Sequence, residues 1–350
     1  MENKMMDQSE QGGKVLTVVV PAYNAEKYIR TALDSLCLPD ILPLIEVLVI
    51  NDGSTDSTGK IAEEFCRDHP GSFRLISKEN GGHGSGINTG IEHASGKYFK
   101  VVDADDWVDR TAFQNLLRTL SHVDDDIVWS GFYWAYDKGE ASVSDMKKRA
   151  EMTVPFRDVE YDTAYPFKEV ADEVYIKLHN MTIRTEILKK HHIRVDENCF
   201  YEDTEYILFP VPYVRTIRFL EDFVYMYRIG NSGQSMSREK MRQNEESMNR
   251  VLKSLLRFYR KLGKEIPCPE ANMHYIENVI ARVAAGKYRI MLCEENSGDC
   301  VRRMRSFDRM LKQRYPEIYR ANRNKAVMLL RTTDFHLYTP ASVMTRFVYR

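Results

Sequence analysis

The sequence predicts an α/β fold with a mainly parallel sheet, followed by a helical region. Three observations lead there. Short β-branched runs alternate with helical periodicity up to about residue 120, a pattern that implies right-handed crossovers. Three of the runs end in polar turns rich in Gly, Asn or Asp, where open α/β sheets bind ligands. Beyond about residue 238 only helical spacing remains, as in Met248, Val251, Leu252, Leu255 and Leu256, and again in Ile276, Val279, Ile280 and Val283.

In chain order, Val15 to Val20 is a β-branched run suited to a strand covered on both faces, with Pro21 expected to end it. Asn24 is placed to cap a helix that turns Tyr28, Ala32, Leu33 and Leu36 inward. Glu46 to Ile50 reads as the second strand, and Asn51-Asp52-Gly53-Ser54-Thr55-Asp56 as the loop after it, opening a helix with Ile61 and Phe65 inward. Arg74 to Ile76 is a third strand. After it, residues 81–90 hold five glycines and run into a helix through Ile91 and Ala94. Such glycine density lets backbone approach a ligand and aim free N–H groups at it.

Lys97 to Val102 is a further strand, and it ends in Asp103-Ala104-Asp105-Asp106. Carboxylates two apart on an extended segment point the same way, so Asp103 and Asp105 can face one hard divalent cation, Mn²⁺ or Mg²⁺, held with a diphosphate. The plainer reading is a solvated turn, with Asp109 capping the next helix. Ile127 to Trp134 reads as another strand, residues 137–172 as a charged surface excursion, and Val224 to Arg228 as a late strand followed by a polar loop. Phe200-Tyr201-Glu202-Asp203-Thr204-Glu205-Tyr206 places acids at a helix start, where the dipole alone would favour them.

Neither a Gly-x-Gly-x-x-Gly turn nor a Walker loop occurs, which argues against a dinucleotide dehydrogenase or a P-loop enzyme. The six cysteines lack Cys-x-x-Cys spacing, so no metal cluster or disulfide frame is expected. Among the nine histidines no spacing singles out a metal ligand, and His83, inside the glycine run, is the one to mutate first. With no apolar run of about 18 residues and a polar first thirteen, the expectation is a cytoplasmic protein with a flexible tail over residues 1–13. Net charge is −1, but residues 301–350 carry 12 Lys or Arg against 3 Asp or Glu. That basic, aromatic tail suits either peripheral contact with an anionic membrane face or packing against acidic partners in the same chain. No nucleic-acid motif accompanies the charge.

Taken together and in order, Pro21-Ala22-Tyr23-Asn24, Asn51-Asp52-Gly53-Ser54-Thr55-Asp56, Glu79-Asn80-Gly81-Gly82 with Asn88-x-Gly90-Ile91, and Asp103-Ala104-Asp105-Asp106 resemble the nucleotide-sugar domain of family 2 glycosyltransferases with the GT-A fold. The resemblance is close over residues 15–110 and looser to about residue 236. It implies a nucleotide-sugar half over 14–125, an acceptor and catalytic half of the same domain over 126–237, and a helical basic region over 238–350. By the same resemblance Asp52 would hold the base, usually uracil, with Pro21, Ala22, Tyr23, Asn24, Asn80 and Gly81 around the nucleotide. Asp103 would lie on the ribose or sugar side, and Asp105, with Asp103, would engage Mn²⁺ or Mg²⁺. Asp203 would be the catalytic base, with Glu202 as its neighbour or alternative. Arg228 would bind diphosphate, with Ser232, Gln234 or Ser235 nearby. Where many relatives carry an Arg, this chain has Ile87.

The expected activity is inverting transfer of a sugar from a nucleotide diphosphate donor, UDP-linked, to a hydroxyl of a glycan or lipid-linked acceptor. A sugar-phosphate nucleotidyltransferase is the enzyme alternative, although that class favours a Gly-rich, Arg- and Lys-bearing loop where this chain has Pro21-Ala22-Tyr23-Asn24. A nucleotide-sugar or glycan-binding module without turnover is the non-enzyme alternative.

Overall fold

The computed structural model describes residues 13–137, 146–151, 153–230, 243–294 and 297–348. The chain divides into two compact units, residues 1–230 and 231–350.

The first unit is built on one ten-stranded sheet. Its first four strands are β1 (Leu16–Ala22), β2 (Ile45–Asp52), β3 (Phe73–Lys78) and β4 (Tyr98–Val101). They pair in parallel in the order β3-β2-β1-β4, as the alternating pattern requires. Helices α1 (Ile29–Leu36), α2 (Thr58–Asp68) and α3 (His83–His93) make the crossovers. Every residue of β1 is buried, which is why its sequence is a continuous apolar run.

Two local expectations are corrected here. Pro21 does not end β1, which pairs with β2 through Pro21 and Ala22. Since β4 pairs with β1 only as far as Val19, the strand beyond is one-sided, and a residue without an N–H is tolerated there. Nor does Asn24 cap α1. It sits in the left-handed region at φ 49° and its side chain accepts from the backbone and hydroxyl of Thr55, tying the β1 turn to the β2 loop.

The sheet continues through β5 (Trp107–Val108), β6 (Ile127–Tyr136), β7 (Lys147–Glu151), β8 (Ala164–Pro166), β9 (Met181–Arg184) and β10 (Thr216–Ile229). Here it is mixed. β6 and β10 run parallel, but β9 joins β4 to β6 antiparallel to both. The charged excursion contributes β7 and β8, which pair antiparallel with β6 and β10. Short helices α5 (Phe167–Val170), α6 (Thr185–Lys190) and α7 (Asp203–Leu208) interrupt this half, and α4 (Arg110–Leu120) precedes it, capped by Asp109 accepting from the Ala112 N–H.

The glycine run departs most from its reading as an open loop. Gly84, Gly86 and Gly90 lie inside α3, and the surfaces they approach are the protein's own. A Cβ at Gly90 would stand 2.4 Å from the Val19 side chain, at Gly86 2.8 Å from Pro21, and at Gly84 2.2 Å from the Asp196 carbonyl oxygen. The helix is thus pressed onto β1 on one side and onto the segment around residues 195–202 on the other.

The second unit comprises α8 (Glu245–Lys261), α9 (Glu270–Cys293), α10 (Ser297–Arg314), α11 (Pro316–Ala321), α12 (Lys325–Thr332) and α13 (Tyr338–Val348). The long α9 is its spine: Tyr338 and Ser342 of α13 donate to its Met291 and Leu292 carbonyls. Much of the tail's positive charge is matched inside this unit. Arg331 pairs with the buried Asp308 at 2.6 Å, and Arg303 bridges Glu245 and Glu294 at 3.0 and 2.9 Å. Among the described residues no helix is long and apolar enough to cross a membrane, and no disulfide joins the cysteines.

The seat of α3 generates a prediction. Gly84→Ala should lose about 1–3 kcal/mol of stability from overpacking, read by urea unfolding of the full chain. Gly71→Ala, where nothing lies within 4 Å, should be close to neutral.

Candidate active site

The first part of the site lies where β1, β2 and β3 end. Asp52 closes β2 at 3% exposure. Its carboxylate accepts from the Gly81 N–H at 3.0 Å, the Gly82 N–H at 2.8 Å and the Lys78 ammonium at 2.8 Å. The amide of Asn80 donates to the Asp52 carbonyl. Gly82 has φ +81° and stands so near Asn198 that a Cβ would meet its backbone N at 3.2 Å, so glycine is required on both counts. Ser54 receives the Asn24 N–H and reaches toward the Ala22 carbonyl, joining the neighbouring loops. Pro21 and Ala22 form a buried floor, and Tyr23 stands 53% exposed at the rim, where its ring is available for stacking. The expected nucleotide residues Pro21, Ala22, Tyr23, Asn24, Asp52, Asn80 and Gly81 are therefore brought together, although the two glycine N–H groups point at Asp52.

The second part is the carboxylate cluster after β4. Asp103 to Asp106 form a turn, closed by the Asp106 N–H on the Asp103 carbonyl, so the alternation expected for an extended segment does not apply. Asp103 is instead grouped with Asp106 and His179, whose ligand atoms lie within 4.8 Å of one another. Asp105 is half-buried beside them. Asp106, 1% exposed, accepts from the Tyr225 hydroxyl at 2.6 Å and from the Arg228 N–H at 2.7 Å. Burial and the neighbouring Asp105 and Asp103 charges hold its carboxyl well above the usual carboxylate range.

Tyr225 also receives the Asp103 N–H, so one phenol fastens the turn to β10. His179 packs against the rings of Phe132, Tyr225 and Tyr227. Burial pulls its pKa down to about 4, and its buried Nδ1 has no hydrogen-bond partner. Neither His179 nor Asp106 was singled out from sequence as a candidate ligand. His179 sits in an unremarkable Lys-Leu-His-Asn stretch, and only the pairing of β9 between β4 and β6 brings it to the turn.

Arg228 is reassigned. Rather than reaching out to phosphate, its guanidinium is 4% exposed, pairs with Asp137 at 2.8 Å, donates to the Asp105 carbonyl at 2.7 Å, and lies between the rings of Tyr28 and Trp107 at 4.8 and 4.9 Å. It braces the carboxylate turn from behind. Ser232, Gln234 and Ser235 lie outside the described residues.

The third part comes from α7. The two acids at its start have different environments. Glu202 is 3% exposed and its Oε1 meets His83 Nδ1 at 2.8 Å. Asp203 is exposed. Partial withdrawal from water and the adjacent Glu202 charge push the Asp203 carboxyl up to about 6, a value suited to a group that must accept a proton near neutrality. The geometry thus separates the two candidates: Asp203 can meet a substrate hydroxyl, and Glu202 is an internal group.

His83 completes the set. Its Nε2 stands 2.8 Å from Asp103 Oδ1 while Nδ1 contacts Glu202. Burial opposes its charge, but the two carboxylates outweigh that and hold its pKa well above the ordinary value. Asp203 lies close enough to Asp103 and His83 to feel both charges, and Tyr227 feels Asp103, Asp105, Asp106 and Asp203 alike. A run of contacts links Asp52, Gly81-Gly82, His83, Asp103 and Glu202, drawing together residues 150 apart in sequence.

Comparison with known proteins agrees with this geometry. The family model described as Glycosyl transferase family 2 matches residues 17–191, half of the chain. EpsJ of Bacillus subtilis, described as an uncharacterized glycosyltransferase, is 28% identical over 265 residues, 75% of this chain and 74% of its own length. GgaB of the same organism, a minor teichoic acid biosynthesis protein, is 25% identical over 256 residues. The chain spans only 27% of GgaB and 18% of a Streptococcus pneumoniae glycosyltransferase, GlyA, that is 38% identical over 126 residues. Among solved structures, residues 1–349 of TarS from S. aureus, in complex with UDP-GlcNAc, superimpose with a TM-score of 0.61 at 19% identity, over 95% of this chain and 89% of that one. A mannosyltransferase from Pyrobaculum calidifontis with GDP-Man and Mn²⁺ follows at 0.50 and 16% identity, over 95% and 86%. These likenesses fix the fold as GT-A. With the matched family model spanning the sheet and the carboxylate turn, the chain belongs to glycosyl transferase family 2 and is a glycosyltransferase.

Proposed function

We propose that this enzyme transfers a sugar, with inversion, from a UDP-linked donor to a hydroxyl of a cell-surface glycan acceptor. The observation that carries this reading is the placement of Asp203, an exposed carboxylate with a pKa of about 6, beside the carboxylate turn after β4. Support for the donor comes from the similarity to TarS, solved with UDP-GlcNAc, and for the acceptor class from the similarity to GgaB.

In this reading the base rests against Tyr23, with Pro21 and Ala22 beneath it and Asp52, Asn80 and Gly81 at its edge. Asp103 lies toward ribose and sugar. Asp203 takes the proton of the acceptor hydroxyl as its oxygen bonds to the anomeric carbon. The bond from that carbon to the donor phosphate breaks, its electron pair leaving on the diphosphate. One base suffices for a single displacement, because attack from the face opposite the leaving group inverts the centre.

A divalent cation fits the carboxylate turn. Oxygen donors with one imidazole suit Mn²⁺, the charges of Asp105 and Asp103 crowd Asp106, and among the described residues the buried His179 Nδ1 has no hydrogen-bond partner. Asp103, with Asp105 or Asp106 and His179, would hold it, and when bound it would supply the positive charge that stabilises the leaving diphosphate. As a ligand, Asp106 would have to give up part of its bonding to Tyr225 or the Arg228 N–H.

The second unit favours an acceptor at a membrane face. Met328, Leu329, Leu337, Val343 and Met344 are 37–70% exposed in a segment with a surplus of basic residues. Exposed apolar groups next to positive charge are what interfacial attachment uses.

Three outcomes test these assignments. Asp203→Asn should lower transfer by about 10²–10⁴-fold with UDP affinity nearly unchanged, and the wild-type rate should fall as pH drops through about 6, where the base form is lost. An acid limb near 4 instead would place the base elsewhere. Asp52→Ala should weaken UDP binding by ~1.5–3 kcal/mol, whether Asp52 meets the base or only holds Gly81; unchanged affinity in calorimetry would remove both roles. The full chain should sediment with phosphatidylglycerol vesicles at low salt, and Met328→Ser with Met344→Ser should reduce it. These exposed sites are a better choice than truncation, which would strip α9 of its partners.

A further inference from the structure

The geometry points to His83 as a positioning residue that sets the catalytic base, a role that rests on the glycosyltransfer reading above. The segment leading to Asp203 is irregular backbone ending in a short helix. Asn198 and Tyr201 sit at φ 54° and 73°, a left-handed backbone costly for side-chain-bearing residues, and α7 is only six residues long. What holds it comes largely from the glycine-rich end of α3. Asn88 acts as a strand-like partner to Val195, accepting from its N–H at 2.9 Å and donating to its carbonyl at 2.9 Å. The Asn198 N–H donates to the Gly81 carbonyl at 2.6 Å. Asn88 also donates to the Glu197 carboxylate at 2.9 Å, and His83, beside the base candidate, ties Glu202 of the segment to Asp103 of the carboxylate turn.

Both ring nitrogens of His83 face carboxylate oxygens at 2.8 Å. The ring thus stands between Glu202 and Asp103, two acids that would otherwise face each other directly. Without it Glu202 would be left 3% exposed with neither oxygen bonded, since Oε2 has no partner. A buried carboxylate in that state would move toward water, carrying Asp203 with it.

The test uses the full chain. His83→Leu should lower kcat for UDP-sugar turnover by about 10–100-fold, the scale of a small misplacement of a reacting group, with donor KM within about threefold. Introduced into Glu202→Gln, it should cost little more, since both changes break the same tie. A second readout needs no turnover: amide hydrogen exchange over residues 196–205 should accelerate in His83→Leu and in His83→Gln, while β1 and β2 stay as protected as in the wild type. Additive losses in kcat, or unchanged exchange over residues 196–205, would overturn the assignment. Wild-type failure to turn over any nucleotide sugar would sink the glycosyltransfer reading instead, and the exchange result would still decide whether His83 holds the segment.

Discussion

The site depends on how closely α3 can be seated. Its glycines remove the Cβ atoms that would otherwise meet Val19, Pro21 and the Asp196 carbonyl at 2.2–2.8 Å. That lets one helix touch the strand that floors the nucleotide region and the segment that carries the base candidate. Glycine inside a helix costs about 0.5–1 kcal/mol relative to alanine, and the helix holds Gly84, Gly86 and Gly90. The close approach offsets that cost through contacts a bulkier helix would forbid, including the pairing of Asn88 with Val195.

A second constraint is electrostatic. Asp103, Asp105, Asp106, Glu202 and Asp203 are gathered into one region, and the fold manages them unequally. Asp106 is buried, its carboxyl pushed well above the usual carboxylate range by burial and the Asp105 and Asp103 charges, and bonded to Tyr225 and the Arg228 backbone. Asp103 and Glu202 share His83. Asp203 is left toward solvent. Below the turn, Lys100 is fully buried and donates to the His179 and Met181 carbonyls, its pKa pulled down to about 7 by burial. Environment, more than residue type, thus sorts five carboxylates into a strut, a bridged pair, a candidate metal ligand and a candidate base.

Part of the basic tail's charge is paired within its own unit. Its surplus is visible in sequence, yet Arg303, Arg305 and Arg331 are matched by Glu245, Glu294, Asp299, Asp308 and Asp334 within the same unit. Val327, Leu330, Phe335 and Tyr338 of the apolar tail are core, while Met328, Leu329, Val343 and Met344 face out. Helical spacing distinguishes such sets only once the partner helices are known.

The sequence by itself determined the parallel part of the sheet, because alternation of buried strands and amphipathic helices is a local property. It also brought Tyr23, Asp52, Asn80 and Asp103 to one edge of the sheet, since residues after parallel strands must lie at the same end. It marked Glu202 and Asp203 only through family resemblance. Tertiary structure alone decided that Asp203 is open and Glu202 buried, that Arg228 braces the turn from behind, that His179 joins Asp103 and Asp106, and that the glycines serve helix packing. Each of those outcomes turns on a contact between elements distant in the chain: β9 inserted between β4 and β6, β10 beside β6, and the residue 195–202 segment laid on α3. Local pattern reports which face of an element is apolar. It carries no information about which distant polar group will lie opposite, and that pairing determines which acids are open to a substrate.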